Sequence, residues 1–287
     1  MSRLPEFNIP GALTWDERRA NCEHALSLGL PRLQVRYPVA GYLTIACYGP
    51  SLRDTYRDMR GPILSVSGAH DYLIGKGVIP TYHVECDPRP HKAKMLTLAN
   101  DTTEYLIASR CHPDVFEALK GRRVLLWHND DGEEQRRWAW EQDPAGIIIS
   151  GGSNVGLRSF EIAHALGYRA IDVHGMDCSF ADGQQWAGEH SGKPKSVGYV
   201  RIAGATRTFA TDPLMVQAAR EAVDYWRTHD IPMKVRGTGL MQTMMRHCMA
   251  GQKKPWPKQK PTEQQPVRIP KFGFDSLTYI PRGTHGH

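Results

Sequence analysis

The sequence predicts an α/β fold of the Rossmann-like kind, a mostly parallel sheet with helices on both faces, and three observations carry this prediction. Short apolar, β-branched runs recur at residues 42–47, 63–67, 82–86, 105–108, 124–127, 147–149, 170–173 and 233–235. Runs of that length, near-continuously apolar, are what strands buried on both faces look like. Helical or turn segments separate them, the alternation that builds a parallel sheet. Glycine-rich turns follow several of the runs, where such sheets bind their ligands.

The elements follow in order. A helical stretch over residues 15–28, with Pro31 and Pro38 after it, makes residues 1–40 an N-terminal helical extension packed on the main fold. The main domain then occupies residues 41–250. Within it, Ser153 or Asn154 caps a helix over 155–166, which Gly167 stops. Asp212-Pro213 supplies a cap and a first-turn proline for a helix over 214–229. Residues 197–211 alternate with period two around Gly204-Ala205, which predicts a small β-hairpin inserted over the site. From Gly251 to His287 the chain is rich in Lys, Pro and Gln, with Pro255, Pro257, Pro261, Pro266 and Pro270 at short intervals. That composition predicts an extended or disordered tail, on which Phe272, Phe274, Leu277 and Tyr279 could dock onto the body or onto a second subunit of a homo-oligomer.

Composition narrows the function. The chain of 287 residues, 40% hydrophobic, is long enough for a full core. No apolar run reaches the roughly 18 to 20 residues that span a bilayer, and the first residues lack a signal-peptide pattern, so no membrane insertion and a cytoplasmic location are expected. The six cysteines are scattered with no C-x-x-C pair, which suggests neither a zinc site nor a disulfide framework. Of the net charge of +6, the residues from Gly251 onward supply +5, with seven Lys/Arg against Glu263 and Asp275. The basic character therefore belongs to the tail, which could touch nucleic acid or a protein partner, and a basic groove on the body is not expected.

Four motifs can carry chemistry. Gly49-Pro50-Ser51 follows the first strand, and a tight turn there presents backbone N–H groups and a hydroxyl to a phosphate. Gly151-Gly152-Ser153-Asn154-Val155-Gly156 again joins a strand to a helix and reads as an anion cradle. It matches neither the dinucleotide fingerprint nor a P-loop, so hydride transfer with a tightly bound organic cofactor is not expected. Asp87 and Asp177 end two further strands, where a carboxylate can hold Mg²⁺, a ribose hydroxyl or a reacting proton. Arg89, His91 and Lys92 beside Asp87 can neutralise phosphates, while Ser67 and Gly68 line the pocket. Met176 and Ser179 flank Asp177 as substrate-binding candidates. The loop 182–190 is long enough to close over a ligand and carries His190, an imidazole suited to acid–base work. Each motif also has a plain structural reading, as a turn, a cap or a solvated loop.

At these residues the chain resembles the MptE-like family, which includes archaeal 6-hydroxymethylpterin diphosphokinases and the bacterial motility accessory factors that glycosylate flagellin. Gly49-Pro50-Ser51-Leu52, residues 65–70, residues 77–82, Asp87, Gly152-Ser153-Asn154-Val155-Gly156, residues 163–167, Gly175-Met176-Asp177 and Asp182-Gly183 carry the resemblance. Glu85-Cys86-Asp87-Pro88 stands where the pterin diphosphokinases have an Asp-rich segment, and their His-Gly-Asp-Asn segment has no clear counterpart. The stretch from Gly175 to Gly188 looks more like the motility accessory factors, which the resemblance ties to nonulosonic sugars on nucleotide donors. The resemblance thus implies a nucleotide-dependent transferase. In the glycosyltransferase-like reading, Gly49–Leu52 and Gly151–Gly156 hold the nucleotide, Asp87 and Asp177 orient the sugar or Mg²⁺, and Asp177 or His190 deprotonates an acceptor hydroxyl. The second reading is an ATP-dependent diphosphokinase acting on a pterin-like alcohol. The third is a non-catalytic nucleotide-binding module with a basic, partner-binding tail.

Overall fold

A computed structural model describes residues 13–188, 198–202, 206–229, 231–250 and 255–257. His190, the hairpin tip at Gly204-Ala205 and the expected tail, apart from residues 255–257, lie outside the described residues.

The chain opens with α1 (Trp15–Ser27), whose Thr14 and Glu17 satisfy each other's backbone N–H groups in a capping box. The sheet begins with β1 (Leu43–Ala46). It continues through α2 (Leu52–Thr55), β2 (Ile63–Val66), α3 (Ala69–Gly75), β3 (Tyr82–Glu85), β4 (Glu104–Ala108), α4 (Pro113–Ala118), β5 (Arg123–Asn129), α5 (Glu133–Gln142) and β6 (Ile148–Ile149). Helix α6 (Val155–Ala165) leads back to β7 (Ile171–His174). The antiparallel hairpin β8 (Gly198–Arg201) and β9 (Thr208–Thr211) follows, then α7 (Pro213–His229), β10 (Met233–Val235) and α8 (Leu240–Met249).

Eight strands form one sheet in the order β10-β7-β1-β2-β3-β4-β5-β6, and every neighbouring pair is parallel. Strands β1, β2, β4 and β7 are buried along their whole length. Side chains alternate between faces, and each face has its own apolar cover. Leu43, Ile45, Leu64 and Val66 join Leu157, Phe160, Trp226 and Met241, from α6, α7 and α8. Ala46 and Ile63 join Leu52, Ala69 and Leu73, from α2 and α3. Ala25 of α1 and Leu33 in the following strap belong to the first cluster, so residues 13–40 share the core of the main domain.

The helix ends follow from local chemistry. Asn154 caps α6, its Oδ1 accepting from Leu157 N at 3.0 Å, and Gly167 turns the chain out of the helix at φ +93°. Asp212 accepts from Met215 N at 2.8 Å at the start of α7. The hairpin docks on the segment after β7, with Phe180 N donating to Ala210 O and Thr211 Oγ1 to Cys178 O, each at 2.8 Å. No helix among the described residues is long and apolar enough to cross a membrane.

A buried polar knot ties the far half of the sheet. His128 Nε2 and Arg32 Nε meet Asp143 Oδ2 at 2.9 and 2.5 Å, and His128 Nδ1 meets Ser109 Oγ at 2.9 Å. Burial pushes the Asp143 carboxyl up, but the hydrogen bonds from His128 and Arg32 outweigh it and hold the group below the usual carboxylate range. A depressed carboxyl contributes stability above its unfolded value, near pH 4, and loses it as pH falls further. Asp143→Asn is therefore expected to lower stability by about 1–3 kcal/mol at neutral pH. Urea denaturation at a series of pH values should show that deficit shrinking below about pH 4.

Candidate functional site

Strands β1 and β7 are neighbours whose onward connections leave in opposite directions, β1 toward β2 and β7 toward β10. A ligand crevice opens above such a switch point, beyond the carboxyl ends of the strands. Glycine allows the two turns there to touch. Gly49 N donates to Gly175 O at 2.7 Å, and a Cβ on Gly49 would lie 2.4 Å from that same oxygen. Gly175 sits at φ +66°, and its Cβ would lie 2.1 Å from Cys47 O.

Asp177, 4% exposed, turns its side chain inward. Its Oδ2 accepts from Ser51 N at 2.9 Å, its Oδ1 from Gln242 Nε2 at 3.0 Å, and its carbonyl from Met241 N at 3.0 Å. Burial pushes this carboxyl up, and the hydrogen bonds from Ser51 and Gln242 recover only part of the shift. Ser51 is itself buried, its hydroxyl 3.5 Å from Gln242 Nε2. Ser179 Oγ accepts from Leu240 N at 3.1 Å, and Met176 is a core side chain against Gly156. In this arrangement Asp177, Ser51, Ser179 and Met176 hold the turns together, and the amides of Gly49 and Ser51, which the sequence offered to a phosphate, are spent on Gly175 O and Asp177.

The cradle after β6 reaches the same place. A Cβ on Gly156 would lie 3.3 Å from both Cys47 Sγ and Met176 Cε, so the first turn of α6 rests on the β1 and β7 turns. Gly151 and Gly152 adopt φ +104° and +66°, which makes room for this crossing. Ser153 N donates to Glu221 Oε2 of α7 at 2.8 Å, and Gln217 Nε2 donates to the other oxygen, also at 2.8 Å. A carboxylate therefore already sits on an amide at the start of α6, the position where an anion is favoured.

The candidates after β2 and β3 form a second centre. Ser67 takes a left-handed backbone at φ +50°, and Lys92 Nζ donates to its hydroxyl at 2.6 Å. The same ammonium lies 3.6 Å from Asp87 Oδ2 and 3.7 Å from Glu85 Oε2. Arg89 grips both oxygens of Asp87, Nε reaching Oδ1 at 2.8 Å and Nη2 reaching Oδ2. Burial raises the Asp87 carboxyl, yet Arg89 and Lys92 together hold it below the ordinary range, so it is ionised at working pH. His91 is half-buried and pushed toward the neutral form by burial, Lys92 and Arg89. Gly68 packs directly under the Tyr48 ring, where a Cβ would come within 2.5 Å.

The strap 181–188 also meets Tyr48, where a Cβ on Gly188 would lie 2.5 Å from the ring hydroxyl. Ala187 N donates to Tyr48 O at 2.9 Å, and Arg53 Nη1 to Gln184 Oε1 at 3.3 Å. Asp87 follows β3 and Asp177 follows β7, three strand positions away, on the order of 14 Å between strand axes at about 4.8 Å per strand. At that separation Mg²⁺ shared by the two carboxylates does not fit this arrangement. No cluster of three His, Cys, Asp or Glu suited to a metal occurs among the described residues.

Sequence reasoning missed Gln242 and Glu221. Gln242 is completely buried and links Asp177, Ser51 and Arg236 O. A signal for it existed in Gly237-Thr238-Gly239 directly after β10. A Cβ on Gly237 would lie 2.1 Å from Ser51 Oγ, and one on Gly239 2.6 Å from Asp177 Cα. Glu221 sits on an ordinary amphipathic helix and carried no such mark.

Fold and site together define a Rossmann-like α/β protein whose glycine turns converge at a topological switch point. The chain belongs to the MptE-like family, described as 6-hydroxymethylpterin diphosphokinase MptE-like, whose profile matches residues 36–183. Among solved structures, it is similar to the MAf glycosyltransferase from Magnetospirillum magneticum AMB-1, with a TM-score of 0.57 at 14% identity. The match covers 84% of this chain and 42% of that one, and at this identity the likeness is one of fold. No curated protein matches the chain.

The raised Asp177 carboxyl gives a signed expectation. Protons bind the folded state more readily, so its ionisation subtracts stability as pH rises from about 4 through the raised value. Asp177→Asn removes that pH-dependent loss but offers one acceptor for two donors. Relative to wild type the variant's stability is therefore expected to rise between about pH 4 and neutral pH, as read by thermal denaturation across pH.

Proposed function

We propose that this chain is a nucleotide-dependent transferase that moves a sugar from a nucleotide donor to a hydroxyl acceptor. The observation that carries the reading is the convergence of the α6 N-terminus with the β1 and β7 turns, through Gly156, Cys47 and Met176. There the first turn of α6 offers its backbone amides and helix dipole to the donor's phosphate, the group that leaves with the bonding electron pair. The acceptor oxygen attacks the anomeric carbon, and its proton passes to a base, the role we assign to His190. Asp177 acts as a positioning residue for the Gly49–Ser51 turn. Asp87, fixed as an anion by Arg89 and Lys92, is suited to orienting sugar hydroxyls. The nonulosonic sugar class is the finer expectation, and it rests on the resemblance of the stretch from Gly175 to Gly188 to the motility accessory factors.

The family's description favours a second reading, transfer of diphosphate from ATP to a pterin-like alcohol with release of AMP. Thermal shift with CMP, UDP, GDP, AMP, ATP and nucleotide sugars, with and without Mg²⁺, separates the two. Stabilisation by CMP or a nucleotide sugar is expected, whereas a preference for ATP with Mg²⁺ selects the diphosphokinase. No response to any nucleotide contradicts both. Glu221→Gln withdraws the carboxylate from Ser153 N and is expected to tighten nucleotide binding several-fold by isothermal titration calorimetry.

A further inference from the structure

Beyond the carboxyl ends of β4, β5 and β6 the fold gathers positive charge that the proposed reaction does not use. Asp131, after β5, receives Arg18 Nη1 of α1 at 3.2 Å, Arg158 Nη2 of α6 at 2.8 Å, and Arg110 Nη1 from the end of β4. The neighbouring Asp130 accepts from Arg136 Nε at 3.2 Å. Four guanidiniums thus share two carboxylates, an excess of two positive charges. The side chains of Arg18, Arg110 and Arg158 are 19%, 17% and 9% exposed, withdrawn from bulk water yet reachable.

Several of these forks are held in place by more than Asp131. Arg158 also donates to Ile149 O at 3.1 Å and Asp130 O at 3.3 Å, and Arg110 Nε donates to Cys86 O at 2.5 Å. Guanidiniums fixed in this way lose little freedom on gripping an oxyanion. A second observation comes from Asn129, the last residue of β5, which is fully buried with neither atom of its carboxamide hydrogen-bonded. Gln135, in the first turn of α5 and 3% exposed, is in the same condition. Two idle buried carboxamides flanking Asp130 and Asp131 in the chain are unusual, since buried polar groups are nearly always paired.

We infer that this cluster is a subsite for a phosphate-type oxyanion. An excess of two charges matches a dianion, and planar forks suit paired phosphate oxygens. Asp131 then acts as an internal counter-ion that orders the arginines and competes with the ligand. The subsite stands whether or not a nucleotide occupies the switch point. Its ligand can be a phosphate-bearing second substrate or the phosphates of the nucleotide itself.

Titration calorimetry with pyrophosphate at constant ionic strength tests the assignment on the wild-type chain, Asp131→Asn and Arg18→Gln. Wild-type protein is expected to bind, Asp131→Asn several-fold more tightly, and Arg18→Gln several-fold more weakly with little change in melting temperature. A cluster that only staples the fold predicts no gain in Asp131→Asn. Absence of binding to folded wild-type protein, or no tightening in a folded Asp131→Asn, overturns the subsite. If Asp131→Asn does not fold, Arg18→Gln decides, and unchanged pyrophosphate affinity in that variant overturns it. Repeating the titration with the stabilising nucleotide at saturation separates the sources. Retained affinity assigns the subsite to a second molecule, and competition assigns it to the nucleotide's own phosphates.

Discussion

The carboxylate of Asp177 joins three parts of the chain that are far apart in sequence: the turn after β1 through Ser51 N, its own turn after β7, and the start of α8 through Gln242. Burying a carboxylate is costly, and the raised Asp177 carboxyl records that cost. What the fold gains is a fixed backbone at the switch point. Gly49 and Gly175 lie so close that only glycine fits at either, and Gly237 and Gly239 repeat the same requirement on the α8 side. The crevice is therefore shaped by main chain, and its polar side chains are largely spent on holding that main chain still.

This division of labour separates two carboxylates that look alike in the sequence. Asp177 is desolvated and raised, whereas Asp87 is clamped by Arg89 and Lys92 and depressed. Environments that push two carboxyls apart assign them different work. The ionised Asp87 is a weak base. Asp177 shapes the turn from behind.

Much of the fold was legible because strands buried on both faces leave continuous apolar runs, and all eight sheet strands lie where such runs occur. Caps were legible at Asn154 and Asp212 for the chemical reason that their side chains replace missing backbone partners. Helices α3, α4 and α5 were not, because short or strongly polar segments such as Glu133–Gln142 carry little apolar periodicity. The glycine turns were legible as turns. Their convergence was not, because Gly156 meets Cys47 and Met176 only after α6 crosses back over the sheet. An aspartate at a strand end reads the same whether it faces a ligand or a glutamine, and Gln242 lies 65 residues from Asp177. The arginines around Asp131 come from three separate segments, so no local pattern announced them.

The central claim is that a nucleotide binds on the backbone where α6 meets the β1 and β7 turns. Amide hydrogen exchange, measured with and without the nucleotide that most stabilises the protein, tests it most directly. The account predicts added protection concentrated at residues 49–52 and 152–157. Protection confined to other parts of the chain, with those two turns unchanged, would contradict it.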